Sequence, residues 1–215
     1  MTQLPSPVTD TPRGRLIVFE GGEGSGKSTQ AKLLAERIDA LLTRQPGATE
    51  LGARIRSIVL AEVGEGEPLC DRAEALLMAA DRAQHVETVI EPALQSGRDV
   101  VCDRFIGSSV AYQGYGRGLD VDIVRSISGW ASGGLWPNVT ILLTVSEETA
   151  AIRTGGARDR IEAAGADFHR RVLAGFLEQA GDEDDWWIQV DGEGSVEEVH
   201  ERVLDALREM LGVDL

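Results

Sequence analysis

Residues 16–30 read LIVFEGGEGSGKSTQ: an apolar run, a glycine loop, then helix-forming residues. Leu16, Ile17, Val18 and Phe19 have the character of a buried strand. Within the loop, Gly21 and Gly26-Lys27-Ser28 stand at the spacing of the phosphate-binding P-loop. Glycine lets the backbone turn tightly, so the N–H groups of Gly21, Gly22, Glu23, Gly24, Ser25, Gly26 and Thr29 can converge on phosphate oxygens. Lys27 brings a cation to the β/γ-phosphates, and Ser28 offers a hydroxyl to Mg²⁺. A helix starting near Lys27 aims its positive end at the same anion. The expected ligands are therefore a nucleoside triphosphate, ATP in the first instance, and Mg²⁺.

The composition sets the class. With 215 residues, 42% hydrophobic and 27% charged, one soluble globular domain is expected. The formal charge of −15 argues against a duplex nucleic-acid partner, which needs a basic face, but not against a nucleotide substrate. Cys70 and Cys102 form no metal or redox spacing with each other or with His85, His169 and His200, so two thiols in or near the core of a cytoplasmic protein are expected. No run approaches the roughly 20 apolar residues of a membrane span, and no secretory signal opens the chain.

Working outward from the P-loop, residues 1–13 hold three prolines and read as a flexible tail, leaving 14–215 as a single domain. Strands are expected over 15–19, 41–44, 99–104, 139–145 and 186–190. Helices are expected over 27–39, 49–61, 72–95, 121–132, 147–153, 168–179 and 195–211. Asp71 can cap the 72–95 helix, and Pro92 can kink it. The step from helix to strand at Ala40 is abrupt: either the helix ends early or a connecting loop is missing. Residues 107–118 read as loop and short helix, and 154–157 as a flexible break. Strands alternating with helices predict an α/β fold, a five-stranded parallel sheet with helices on both faces and phosphates at the strand C-termini. Asp103, at the end of an apolar strand, is a candidate partner for Mg²⁺ beside Ser28.

Several segments together resemble the bacterial thymidylate kinase family. They are Phe19-Glu20-Gly21 entering the P-loop, Thr43-Arg44-Gln45-Pro46-Gly47, Ala73-Glu74-Ala75-Leu76-Leu77 with Ala80-Asp81-Arg82-Ala83-Gln84-His85, Asp103-Arg104-Phe105 with 108–114 (SSVAYQG), and Asp159-Arg160-Ile161-Glu162. The resemblance implies a P-loop kinase fold with a short lid at about 154–160, phosphorylation of dTMP to dTDP by ATP and Mg²⁺, and a homodimer. It implies that Arg44 grips the dTMP phosphate, which suits a planar guanidinium, and that Arg104 neighbours both phosphates. It places Glu23 near the sugar 3′-hydroxyl, with Pro46, Ser109 and Tyr112 around the pocket, and it has Arg82 and Gln113 read the thymine edge. Met78 stands where the family has a stacking phenylalanine. Gln45, Ala48 and Thr144 also depart from the usual Glu, Gly and Asp. With no arginine inside the P-loop, the lid is expected to supply one, from Arg153, Arg158 or Arg160. Two alternatives stay open: a kinase for another pyrimidine nucleotide such as dUMP, and a non-catalytic nucleotide-binding regulator.

Overall fold

The computed structural model describes residues 12–61, 68–154, 160–181 and 186–212. Among them five strands form one parallel sheet in the order β2-β3-β1-β4-β5, with β1 Leu16–Glu20, β2 Leu41–Arg44, β3 Val100–Asp103, β4 Val139–Thr144 and β5 Trp187–Asp191. Central β1 is buried at all five positions, as a strand covered on both faces must be. The register sets Phe19 beside Asp103, and Asp103 beside Arg44, at the C-terminal edge. The order reverses on either side of β1, which opens a crevice at that edge.

Alternation along the strands divides the core. Ile17, Phe19, Val101 and Ile141 pack with α1 (Lys27–Arg37) and α9 (Val196–Leu211) on one face. Leu16, Val18, Val100 and Cys102 pack on the other with the π-helical segment Val86–Ile90, which continues α3 (Asp71–His85), with α4 (Glu91–Gln95), with α5 (Ile106–Ser109), and with α6 (Val121–Ala131). A third cluster joins α2 (Glu50–Leu60) to Tyr112, Phe168, Phe176 and Trp187. Phe168 and Phe176 lie on α8 (Ala166–Gly181), and α7 is Glu147–Arg153. Among the described residues no helix is long and apolar enough to cross a membrane.

Local signals explain the helix starts. Thr49 accepts from Gly52 N–H, Asp120 from Ile123 and Ser146 from Thr149, and Ser195 forms a reciprocal capping box with Glu198. Four details refine or depart from the sequence expectation, which leaves open an early end of the first helix and a kink at Pro92. Asp71 is the first residue of α3, where it supplies charge at the helix's positive end; Cys70 holds the cap position without a side-chain bond and is exposed, while Cys102 is buried. The 72–95 helix is interrupted by the π-helical segment just before Pro92, whose missing N–H and bulky ring suit a widened turn. Residues 106–116 are helical, α5 running into a π-helical segment Val110–Gly116. Helix α1 ends early, at Arg37, and Asp39 (φ 52°) turns the chain straight into β2. The sequence-expected tail lies outside the described residues except at its end, where Arg13 is tied to Glu91 at 2.6 Å.

Candidate active site

The loop between β1 and α1 carries the phosphate chemistry. Gly26, with φ 91°, ends the loop in a backbone region that L side chains rarely adopt. Lys27 follows, buried, and its Nζ donates to Gly22 O at 2.8 Å. Burial and the nearby Arg104 charge hold its pKa down to about 8, against the pull of Glu23, Asp103 and Glu20. Ser28 and Thr29 are exposed on the first turn of α1. Ser28 Oγ donates to Asp103 Oδ2 at 2.5 Å, while Asp103 Oδ1 is buried without a partner. One carboxylate with an orphaned oxygen beside a hydroxyl fits Mg²⁺, which takes few protein ligands and shares the rest with phosphates. Among the described residues no cluster of three or more His, Cys, Asp or Glu offers a fuller metal cage.

Beside the loop lies a charged cluster. Arg104, at φ 68°, donates to Gly21 O, Ser108 Oγ and Glu23 Oε1, and stacks over the Tyr112 ring at 5.1 Å. Tyr112 OH donates to the same Glu23 oxygen at 3.1 Å. Burial works against charge on Glu23, but Arg104 and Lys27 outweigh it and hold the carboxyl below its usual range. Burial pushes the Tyr112 hydroxyl up. Beneath them Glu20, fully buried, accepts the N–H groups of Phe105 and Ser108 at 2.9 and 2.8 Å and the Ser108 hydroxyl at 2.5 Å. Burial raises the pKa of Glu20, and these bonds hold back the rise. Sequence reasoning gave Glu20 no role, because its partners lie more than eighty residues away.

A cleft of about 210 Å³ opens from this cluster. From the first half of the chain it is lined by the expected Glu23, Lys27, Ser28, Arg44, Pro46 and Met78. From further along the chain come Arg82, Asp103, Arg104, Ser109, Tyr112 and Gln113. Arg44 is exposed at the end of β2. Arg82 is no surface residue: it is 3% exposed and donates to Phe105 O, Ser109 Oγ and Ser128 Oγ at 3.0, 2.8 and 3.2 Å. Its Nε is buried without a partner, and burial lowers its pKa to about 10. Arg56 and Asp81 also line the cleft and were missed. Arg56 reads as the solvent face of an amphipathic helix. Asp81 stands within a quoted motif, yet its bond to Gly47 N–H, at 3.0 Å, is visible only in three dimensions.

The lid arginines separate. Arg153 on α7 reaches the carbonyls of Gly192 and Gly194 at 3.1 and 3.2 Å and of Gly24 at 3.4 Å, beside the P-loop. Arg160 is held elsewhere, by Val59 O at 2.9 Å and Glu74 Oε2 at 2.5 Å, and does not line the cleft. Arg158 lies outside the described residues, as does 155–159 of the expected lid. A second cavity, of about 370 Å³, lies between α7 and α8 and meets the first at Glu23 and Tyr112.

The thymidylate kinase family model matches residues 19–203. A thymidylate kinase of Leifsonia xyli subsp. xyli is 51% identical over 194 residues, covering 86% of this chain and 90% of that protein. One of Cutibacterium acnes is 47% identical over 195 residues, covering 88% and 94%. The crystal structure of thymidylate kinase from Ehrlichia chaffeensis superposes with a TM-score of 0.75 at 29% identity, covering 92% of this chain and all of that one.

Proposed function

The chain belongs to the thymidylate kinase family, and on that premise we propose how its own residues carry the γ-phosphoryl group of ATP to dTMP. The enzyme phosphorylates dTMP to dTDP on a P-loop kinase fold. The observation that carries the assignment of roles is one cleft in which Lys27, Ser28 and Asp103 face Arg44, Arg82 and Gln113.

In this reading the P-loop N–H groups from Gly21 to Thr29 and the Lys27 ammonium hold the ATP phosphates. Arg44 holds the dTMP phosphate as a planar donor. Arg104, bonded to Gly21 O and Ser108 Oγ, stands between the two anions and offsets their repulsion. Glu23 and Tyr112 set the sugar, Pro46, Met78 and Ser109 line the pocket, and Arg82 and Gln113 meet the base. A thioether at Met78 packs well against a ring. Arg153, already beside the P-loop, is the best placed of the lid arginines, with Arg158 the other candidate, while Arg160 is engaged by Glu74 and Val59 O. A dTMP phosphate oxygen attacks the γ-phosphorus in line, the bond to the β,γ-bridging oxygen breaks, and its electron pair leaves with ADP. The attacking oxygen is already anionic, so no protein base or nucleophile is needed.

Ser28 and Asp103 would hold Mg²⁺. Bound there, it supplies charge neutralisation at the β- and γ-phosphate oxygens. We read the enzyme as a cytoplasmic homodimer. Two free cysteines suit a reducing compartment, and α3 and α6 together expose Leu76, Ile123 and Trp130.

The test is ATP consumption with dTMP, dUMP, dCMP, dGMP, dAMP and UMP, with and without Mg²⁺. The reading expects Mg²⁺-dependent turnover with dTMP well above the others. Turnover spread evenly over dTMP and dUMP would make it a broader pyrimidine kinase, and ATP binding without turnover would make it a regulator.

A further inference from the structure

Glu74 takes no part in the assignments above, yet it is the most heavily bonded carboxylate beside the cleft. It is fully buried in the first turn of α3. Gln113 Nε2 donates to its Oε1 at 2.9 Å. Arg160 Nη2 donates to Oε2 at 2.5 Å, Arg117 Nε to the same oxygen at 3.2 Å, and Arg117 Nη2 lies 3.1 Å from it. The arginines are themselves fixed, Arg160 by Val59 O and Arg117 by stacking over Phe168 at 4.6 Å.

The charge state follows. Burial opposes ionisation, but the bonds from Gln113 and Arg160 and the Arg117 charge outweigh it and hold the carboxyl below its usual range. An ionised carboxylate accepts and never donates. Gln113 can therefore face Glu74 only with its NH₂ end, which fixes the amide's orientation. Gln113 lines the cleft, whereas Glu74 does not. The end of the amide left for the cleft is Oε1, an acceptor. Arg82, which lines the same cleft, is donor-only.

We propose that Glu74 is a specificity-positioning residue, which turns Gln113 Oε1 toward the substrate so that the cleft accepts a pyrimidine with a ring N3–H beside a 4-keto oxygen and rejects one with a bare N3 beside a 4-amino group. This rests on the seat of the base against Arg82 and Gln113 given above. The thymine edge offers a donor to Gln113 Oε1 and an acceptor to Arg82. The cytosine edge sets acceptor against acceptor and donor against donor, and an unpaired buried polar group is strongly disfavoured.

The experiment compares kcat/KM for dTMP and dCMP, at saturating ATP, in wild type, Glu74→Gln and Glu74→Asp. A glutamine at 74 can donate to Gln113 Oε1, which lets the amide invert. The expected result for Glu74→Gln is a fall of roughly tenfold or more with dTMP, mainly through KM, together with an absolute rise with dCMP. A merely structural defect lowers both. Glu74→Asp keeps an anionic acceptor and is expected to keep the dTMP preference. Parallel losses that leave the dTMP/dCMP ratio unchanged in Glu74→Gln overturn the proposal, as does an equal loss of preference in Glu74→Asp.

A second measurement stands if Glu74→Gln fails to bind ATP and so to fold. In wild-type protein with ¹⁵N-labelled glutamine side chains, the Gln113 NH₂ signals are assigned by their absence in Gln113→Leu. They are expected to exchange slowly with solvent and to shift little when dTMP is added. Rapid exchange that dTMP abolishes would put the NH₂ in the cleft and overturn the proposal. Absence of wild-type turnover with dTMP fails the functional reading instead, and the amide's exchange still decides its orientation.

Discussion

Ser28 Oγ donates to Asp103 Oδ2 at 2.5 Å, across 75 residues of chain, and the other Asp103 oxygen is buried without a partner. The parallel register puts Asp103 level with Phe19, two residues before the loop that delivers Ser28. The pair is thus a product of strand alignment. Asp103→Asn keeps the size and removes the charge. We predict a loss in kcat of about a hundredfold and a higher Mg²⁺ requirement for half-maximal turnover, with thermal stability nearly unchanged. An unaltered Mg²⁺ titration would remove Asp103 from the metal site.

Lys27 gives a pH prediction. Burial and Arg104 bring its pKa to about 8, so its charge is lost as pH rises through 8 and not through the ordinary 10.5. Only the charged form attracts phosphate. The Kd for ATP is expected to be constant below that value and about tenfold weaker at pH 9 than at pH 7. Folding stability moves the other way. Between pH 8 and 10.5 the unfolded chain binds the extra proton, so this lysine makes the fold more stable as pH rises. Calorimetric titration together with urea melts separates the two, and ATP affinity unchanged to pH 10 would contradict the assignment.

Gly52 runs against helix propensity. In an exposed helix, replacing glycine with alanine stabilises by about 1 kcal/mol. Here an added Cβ would lie 2.3 Å from Asp81 Oδ1 and 3.0 Å from Thr49 Oγ1. Asp81 in turn holds Gly47 N–H beside the cleft. Gly52→Ala is expected to destabilise by about 1–3 kcal/mol in denaturant melts and to raise the KM for dTMP. A more stable variant would show that α2 and α3 pack less closely than described.

What the sequence revealed was local chemistry. The P-loop, the buried strand ahead of it and the bounds of β2 follow from glycine spacing and apolar runs within a few residues. Hidden from it was what distant segments decide. Residues 107–118 read as loop with a short helix, because glycines punctuate them. In the fold those glycines make room: a Cβ at Gly107 would meet Trp187 at 2.7 Å, and one at Gly116 would meet Phe168 at 2.6 Å. The helical pattern of α3 could not announce that Arg82 turns inward to Ser128, or that Glu74 gathers Arg117 and Arg160. Arg160 read as a lid residue by position alone. Glu20 was one letter of a motif until the turn after β3 folded onto it.

The central claim is that one cleft holds two separate anion sites, the P-loop for ATP and Arg44 for the dTMP phosphate. Arg44 is exposed at the end of β2, beside Asp103 in register, and it lines the cleft. The direct measurement is Arg44→Ala, with kcat/KM for dTMP and the Kd for ATP determined on the same preparation. The account predicts that transfer to dTMP falls by about a thousandfold while ATP binds within about threefold of wild type. An equal fall in ATP affinity would place Arg44 in the donor site and contradict the division of the cleft.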